Sequence, residues 1–299
     1  MSCVLRPSSV CPCSGLQPMR SAFKLVNPGA NARAFLALAM FLSRNWRLVW
    51  EMSVNDLTGR YKGQYFGAAW VLVHPLALTL LYLFLFGIVF VQRIGGTYEL
   101  PLDYTAYMLS GLMPWLTFQT ALNTTVVSVT SNSPLVKQFV FPIEILPVRD
   151  VLSSLVTWFV GILSTLAYIL ISGQQSSAMW LLLPVLLVLQ VMAMIGTGFF
   201  LSALAVFFRD IKDVVSLFSL LAIFLMPIVF LPGWVPKVFQ PLVWANPFTY
   251  MVLVYQDVIY FGRFEHPEAW LIFPLFSVFV FVLGFRFFTK TKPTFGSIL

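Results

Sequence analysis

The carboxylates decide first what chemistry the chain could perform. General acid–base work on a glycan needs two acids held close together at one site. Glu51, Asp56, Glu99, Asp103, Glu144, Asp150, Asp210, Asp213, Asp257, Glu265 and Glu268 are scattered instead. Arg149-Asp150 and Arg209-Asp210-Ile211-Lys212-Asp213 read as balanced loop charges. Of the two histidines, His74 stands beside Pro75 and reads as a buried hydrogen-bonding residue, not a proton relay. His266 lies near Glu265 and Glu268, a grouping too common by chance to mark a metal site. Cys3, Cys11 and Cys13 are odd in number, and Cys11 and Cys13 are spaced too closely for zinc, so neither a disulfide framework nor a metal centre is indicated. Gly-Lys occurs nowhere, which excludes a phosphate-binding Walker motif. The sequence therefore predicts no catalytic residue, no metal and no cofactor of its own.

The elements that must position these residues are membrane helices. Of 299 residues 59% are hydrophobic and 10% charged, with a mean hydropathy of +0.88. A soluble domain is about 45–50% apolar and about 25% charged. A membrane β-barrel would show short alternating segments, not long apolar runs. Six runs approach bilayer length: 67–91, 106–129, 151–171, 180–207, 214–231 and 269–285, the last two being the shortest. None contains Asp, Glu, Lys or Arg. Backbone groups in lipid must be satisfied internally, so each run is read as helix. Pro75, Pro114, Pro184 and Pro227 predict kinks. The absence of acids in the runs disfavours a proton- or sodium-coupled transporter.

Alternate loops hold 15 of the 18 Lys and Arg residues, which predicts six spans with both termini cytoplasmic. The net charge of +7 is then assigned to the anionic face of a bilayer and not to nucleic acid. Residues 1–31 read as a disordered cytoplasmic tail without a secretion signal. Residues 32–66 read as an amphipathic interface helix, with Phe35, Leu38, Leu42, Trp46 and Val49 on one face and Arg44, Arg47, Glu51 and Asn55 opposite. It is either a contact arm or a membrane anchor. Residues 67–290 form the six-span domain, and 291–299 a second cytoplasmic tail. The stretch 232–268 is broken by Pro232, Pro236, Pro241 and Pro247, and predicts short re-entrant or interfacial helices on the outer side.

Four local patterns carry a family resemblance. Before the first span, Asp56, Leu57, Arg60, Tyr61, Lys62, Gly67, Trp70 and Pro75 keep a D-L-x-x-R-Y-K…G…W…P spacing. Between the second and third spans stands LVKQFVFPIEILPV, with Lys137, Phe141, Pro142 and Pro147. After the fourth span, Phe207, Phe208, Arg209, Asp210, Ile211 and Asp213 form an F-F-R-D-I-x-D run. Asn246 to Val252 supply an N-P-F turn. In this order, the patterns resemble the type-2 ABC transporter permeases that export polysaccharides: O-antigen (Wzm-type), capsule and teichoic-acid exporters.

The resemblance implies a homodimer in the bacterial inner membrane, joined to two copies of an ABC ATPase subunit that binds ATP and magnesium. The cargo would be a lipid-linked polysaccharide. The alternatives are a permease of the same architecture for a lipid or drug, or a membrane enzyme of glycan assembly. Contacts to the ATPase are expected from Asp56, Arg60, Lys62, Lys137, Glu144, Arg209 and Asp210. Aromatic faces pack well on sugar rings, and Tyr82, Phe86, Trp115, Phe118 and Phe224 are candidates for a channel lining. The family's outer gate is expected at Pro232, Gly233, Trp234, Gln240, Trp244, Asn246 and Pro247, where Gly233 lets the chain reverse after a short fifth span.

Overall fold

A computed structural model describes residue 40 and residues 43–59, 62–89, 103–138, 142–173 and 177–299; these are helices joined by turns. The predicted tail 1–31, together with Phe35, Leu38, Leu42, Arg60, Tyr61 and Phe141, lies outside the described residues.

Helix α1, Trp46–Gly59, is braced by an Arg47–Glu51 pair one turn apart, at 2.9 Å. Its buried side is Val49 and Ser53. On the predicted apolar face, Val49 is buried, while Trp46 is half-exposed and stacks on Trp50, with ring centroids 6.3 Å apart. Helix α2 covers Trp70–Phe84 and widens into a π turn at Leu85–Val89. Pro75 lies inside it. Helix α3, Tyr104–Thr125, encloses Pro114 and is buried along most of its length. Two short helices follow, α4 at Ser128–Ser131 and α5 at Ser133–Gln138. Helix α6, Ile145–Ile171, starts six residues before the predicted third span. A 3-10 turn at Ala178–Leu182 leads into α7, Leu183–Phe207. Pro184 sits in the first turn of α7, where its missing N–H costs nothing, so it starts this helix and does not kink it.

Helix α8 is only Ile211–Leu225. The fifth run was expected to continue to 231. Instead Met226 is extended (φ −118°, ψ 154°), the conformation that a following proline imposes. A 3-10 turn at Pro232–Trp234 and the six-residue α9, Gln240–Ala245, come next. Helix α10, Pro247–Gln256, continues as a π turn through Asp257–Phe261 and stops at Gly262, whose φ of +62° suits glycine. Helix α11 is Pro267–Ile298. Residues 291–298, read as a cytoplasmic tail, continue this helix.

Among the described residues, four stretches are long and apolar enough to cross a bilayer: Trp70–Val89, Ile145–Ile171, Ala178–Phe207 and Pro267–Ile298. Helix α3 has the length but spends positions on Tyr, Ser, Thr, Gln and Asn. Helix α8 reaches only about 22 Å, against about 30 Å of hydrocarbon. Helix α3 is the hub, packed on α6, α7, α8 and α10, which is why its less apolar sequence is tolerated: it faces protein more than lipid. The most extensive packing joins α7 and α11. There Gly196 and Gly284 let two backbones touch. A Cβ built on Gly196 would lie 2.5 Å from the backbone of Val280 and Phe281, and one on Gly284 would fall on the Gly196 carbonyl. In lipid no hydrophobic force drives helices together, so such close approach is what holds them.

The bundle has two chemically distinct ends. Val127, Thr130, Ser133, Arg209, Lys212, Ile298 and Leu299 gather at one. At the other, Tyr168 donates to Asp103, Ser177 to the Gly262 carbonyl, and Tyr104 to the Val229 carbonyl.

Candidate functional site

Between α2, α3, α6 and α8 runs a groove of about 440 Å³. Its α3 wall presents Gln119, Thr120 and Asn123; its α6 wall presents Ser153 and Thr157; its α2 wall presents His74 and Tyr82. Every one of these groups is uncharged or, for His74, weakly basic, so the groove offers hydrogen bonds without a fixed ion. His74 is exposed here, not buried as the sequence suggested; the cause is that α2 packs on little besides α6 and keeps most of its surface open. Such a surface can hold a hydroxyl-rich molecule weakly at many points, which suits passage better than retention.

The aromatic candidates separate into three environments. Tyr82 and Phe86 stack at 6.5 Å on the part-exposed side of α2. Phe224 is exposed on α8. Trp115 and Phe118 are wholly buried, stacked on one another at 6.1 Å and packed on Phe248. They fill the interior of the subunit, where they touch α10 and no open surface.

The polar members of the groove are what sequence reasoning missed. The signal was present: Gln119 and Thr120 stand four and three residues before Asn123, and so both neighbour it on one face of the helix. Replacing both Gln119 and Asn123 by leucine should leave the protein in the membrane at normal amounts and cut transport about tenfold or more, as loss of two hydrogen-bonding side chains at about 1 kcal/mol each implies. Transport at the wild-type rate, measured in cells with matched protein levels, would remove the groove from the pathway.

The predicted coupling residues differ in their surroundings. Lys62, Lys137, Arg209 and Asp210 are exposed, and Asp56 is half-buried. Glu144 is buried and accepts from Lys292 at 2.7 Å. Arg149 and Asp150 pair at 3.2 Å.

The expected gate residues form a braced turn whose last residues, Pro247 and Phe248, reach Leu122, Val214 and Phe218 inside the bundle. The Asn246 side chain caps α10 by accepting the Phe248 N–H at 3.1 Å, with Pro247 at the first helical position. Tyr250 donates to the Trp244 carbonyl at 2.9 Å and Thr249 to that of Val243 at 2.7 Å. Gln240 donates to the Val235 carbonyl, and Trp234 and Gly233 are exposed. Asp257 is fully buried at the other end of α10. It accepts from the His266 N–H (3.1 Å), faces His266 Nδ1 (2.8 Å) and accepts from Trp270 Nε1 (2.9 Å). His266 thus has a carboxylate partner that binds the end of α10 to the start of α11, a role its sequence neighbours Glu265 and Glu268 did not indicate.

Residues 47–260 match the ABC-2 type transporter family, and this match takes in well over half of the chain. The chain belongs to that family. Among similar proteins, an O-antigen export system permease protein RfbA of Klebsiella pneumoniae is 27% identical over 246 residues, covering 82% of this chain and 92% of that protein. The RfbA permease of Myxococcus xanthus is 26% identical over 244 residues, or 81% and 91% of the two chains. As an ABC-2 type transporter, this chain is a multi-pass membrane permease and not an enzyme. The family match runs from α1 to the π turn after α10, and so takes in the groove, the basic loops and the braced turn together.

Proposed function

We propose that this ABC-2 permease is the membrane subunit of an ATP-driven exporter that moves a lipid-linked polysaccharide of the O-antigen or capsule class outward across the bacterial inner membrane. The observation that supports it most is the groove: a membrane-depth surface of neutral hydrogen-bonding side chains with an aromatic partner, suited to sugar hydroxyls and ring faces. The names of the relatives point to the same cargo. Two copies of the chain form the channel, with α2 and α8 supplying the facing walls, and two copies of an ABC ATPase subunit bind ATP and magnesium. The chain crosses the membrane six times, with α3 and α8 as the less regular spans. The basic end is cytoplasmic, and the turn at 232–247 is the outer gate. Asp56, Arg60, Lys62, Lys137, Glu144, Arg209 and Asp210 form or support the surface that meets the ATPase.

The test is deletion of the gene in its host. Surface glycan should disappear while its lipid-linked form accumulates inside, and the restored gene should reverse both. Normal surface glycan in the deletion strain would sink the reading. Orientation is checked separately. A cysteine at Arg263 should react with an impermeant maleimide added to intact cells, and a cysteine at Asp210 should not. Labelling at Asp210 would overturn the six-span topology.

A further inference from the structure

The last helix does more than cross the bundle. Lys292 Nζ reaches Glu144 Oε1 at 2.7 Å, across 148 residues of sequence. Glu144 immediately precedes α6 and so ends the loop that carries α5. Its second oxygen, Oε2, is buried without a hydrogen-bond partner among the described residues. The hold on this carboxylate is therefore Lys292. Phe288 and Phe295 are both wholly buried and meet at 5.4 Å, and Phe295 also meets Phe207 at the end of α7, at 6.4 Å. Ile298 and Leu299 close the sequence around a cavity of about 280 Å³, shared with Thr130 and Ser133 of one loop and Arg209 and Lys212 of the other. Helix α11 also packs directly on α5. One helical end therefore touches both basic loops.

We propose that Lys290–Leu299 is a strap that fixes the α5 loop to the α7–α8 turn, and that Lys292 is a positioning residue through which movement of that loop is passed to α11. The proposal rests on the exporter reading above. Force applied to α5 by an ATP-binding subunit can move the rest of the chain only if the loop is tied to a stiff element. Helix α11 is such an element: its other end is held at Asp257 through His266 and Trp270. It thus spans from the basic loops to the Asp257 cluster at the opposite end of the bundle. Without the Lys292–Glu144 tie, the loop would yield and hydrolysis would proceed without moving cargo.

The experiment uses the complete permease with its ATPase subunit in proteoliposomes. It compares Lys292→Met, Glu144→Gln and the exchanged pair Lys292→Glu with Glu144→Lys. The readout is glycan exported per ATP hydrolysed, beside assembly of the complex. Each single variant should lose roughly five- to tenfold in that ratio, a size usual for coupling between sites, and Lys292→Met, which lies outside the surface that meets the ATPase, should also assemble and keep hydrolysing ATP. The exchanged pair should restore it. A single variant with the wild-type ratio, or an assembled exchanged pair that stays uncoupled, overturns the strap. If the exchanged pair does not assemble, cysteines at positions 144 and 292 joined by a bifunctional maleimide replace it: joined protein should be coupled and unjoined protein uncoupled, and equal ratios overturn the proposal. If wild-type complex hydrolyses ATP but moves no glycan, the exporter reading fails instead. The strap is then judged on ATPase stimulation by the permease, which the singles must lower and the joined cysteines restore.

Discussion

Replacing Gly284 by leucine should abolish accumulation of folded protein. Its new Cβ would fall on the Gly196 carbonyl, and that obstacle is backbone, not the end of a flexible side chain. Neither α7 nor α11 can retreat without opening the most extensive helix contact in the bundle. Steric changes of this kind belong to the exceptional class above about 4–5 kcal/mol. Gly284→Ala should fall between the two, lowering the midpoint of thermal unfolding while leaving some folded protein. A fluorescent fusion followed by size-exclusion in detergent separates these cases. A monodisperse Gly284→Leu protein at wild-type yield would show that the two glycines do not touch as described.

Removing the buried carboxylate of Asp257 should be nearly as damaging. Asp257→Leu leaves the His266 N–H and Trp270 Nε1 facing an alkyl group in a site closed to water. Each hydrogen bond to a buried carboxylate is worth about 1.5–3 kcal/mol, and two or more are lost at once. Asp257→Asn keeps one acceptor oxygen and should lose about half as much. The effect is local as well as global, because Asp257 ties Gly262–His266 to the bundle. Arg263 is exposed in that turn. Trypsin added from outside should therefore cut at Arg263 faster in both variants than in wild type, in the order Leu, Asn, wild type. Equal cleavage rates and equal unfolding midpoints would mean that Asp257 holds nothing in place.

What the sequence revealed, and what it hid, follows from these same contacts. Long charge-free runs located the middles of the helices, because a helix in lipid cannot carry an unpaired charge. They misplaced the ends wherever charges are paired. Helix α6 starts at Ile145, and Arg149 and Asp150 enter it because they satisfy one another. Helix α11 runs on past Arg286, Lys290 and Lys292, the last of which is met by Glu144. At Met226 the error had the opposite sign: hydropathy is blind to the backbone preference that Pro227 imposes. Trp115 and Phe118 were chosen for their chemistry, but three residues' separation on α3 placed them against Phe248 and out of any passage. The groove escaped notice because a polar face on one helix gains meaning only when neighbouring helices leave it open, and which helices are neighbours is not written in any local pattern.

The glycine contact between α7 and α11 also sets the order in which the protein can be made. Helix α7 is complete once residue 207 has been synthesised, but the surface that covers Gly196 arrives only with α11. The same late segment brings the donors for Asp257 and the lysine for Glu144. Two buried carboxylates and an open helix seam must therefore wait in the nascent chain until α11 has been made. Folding of the bundle closes with that helix and not with those before it. A chain that stops short of α11 would keep that seam open permanently, and should be degraded rather than assembled.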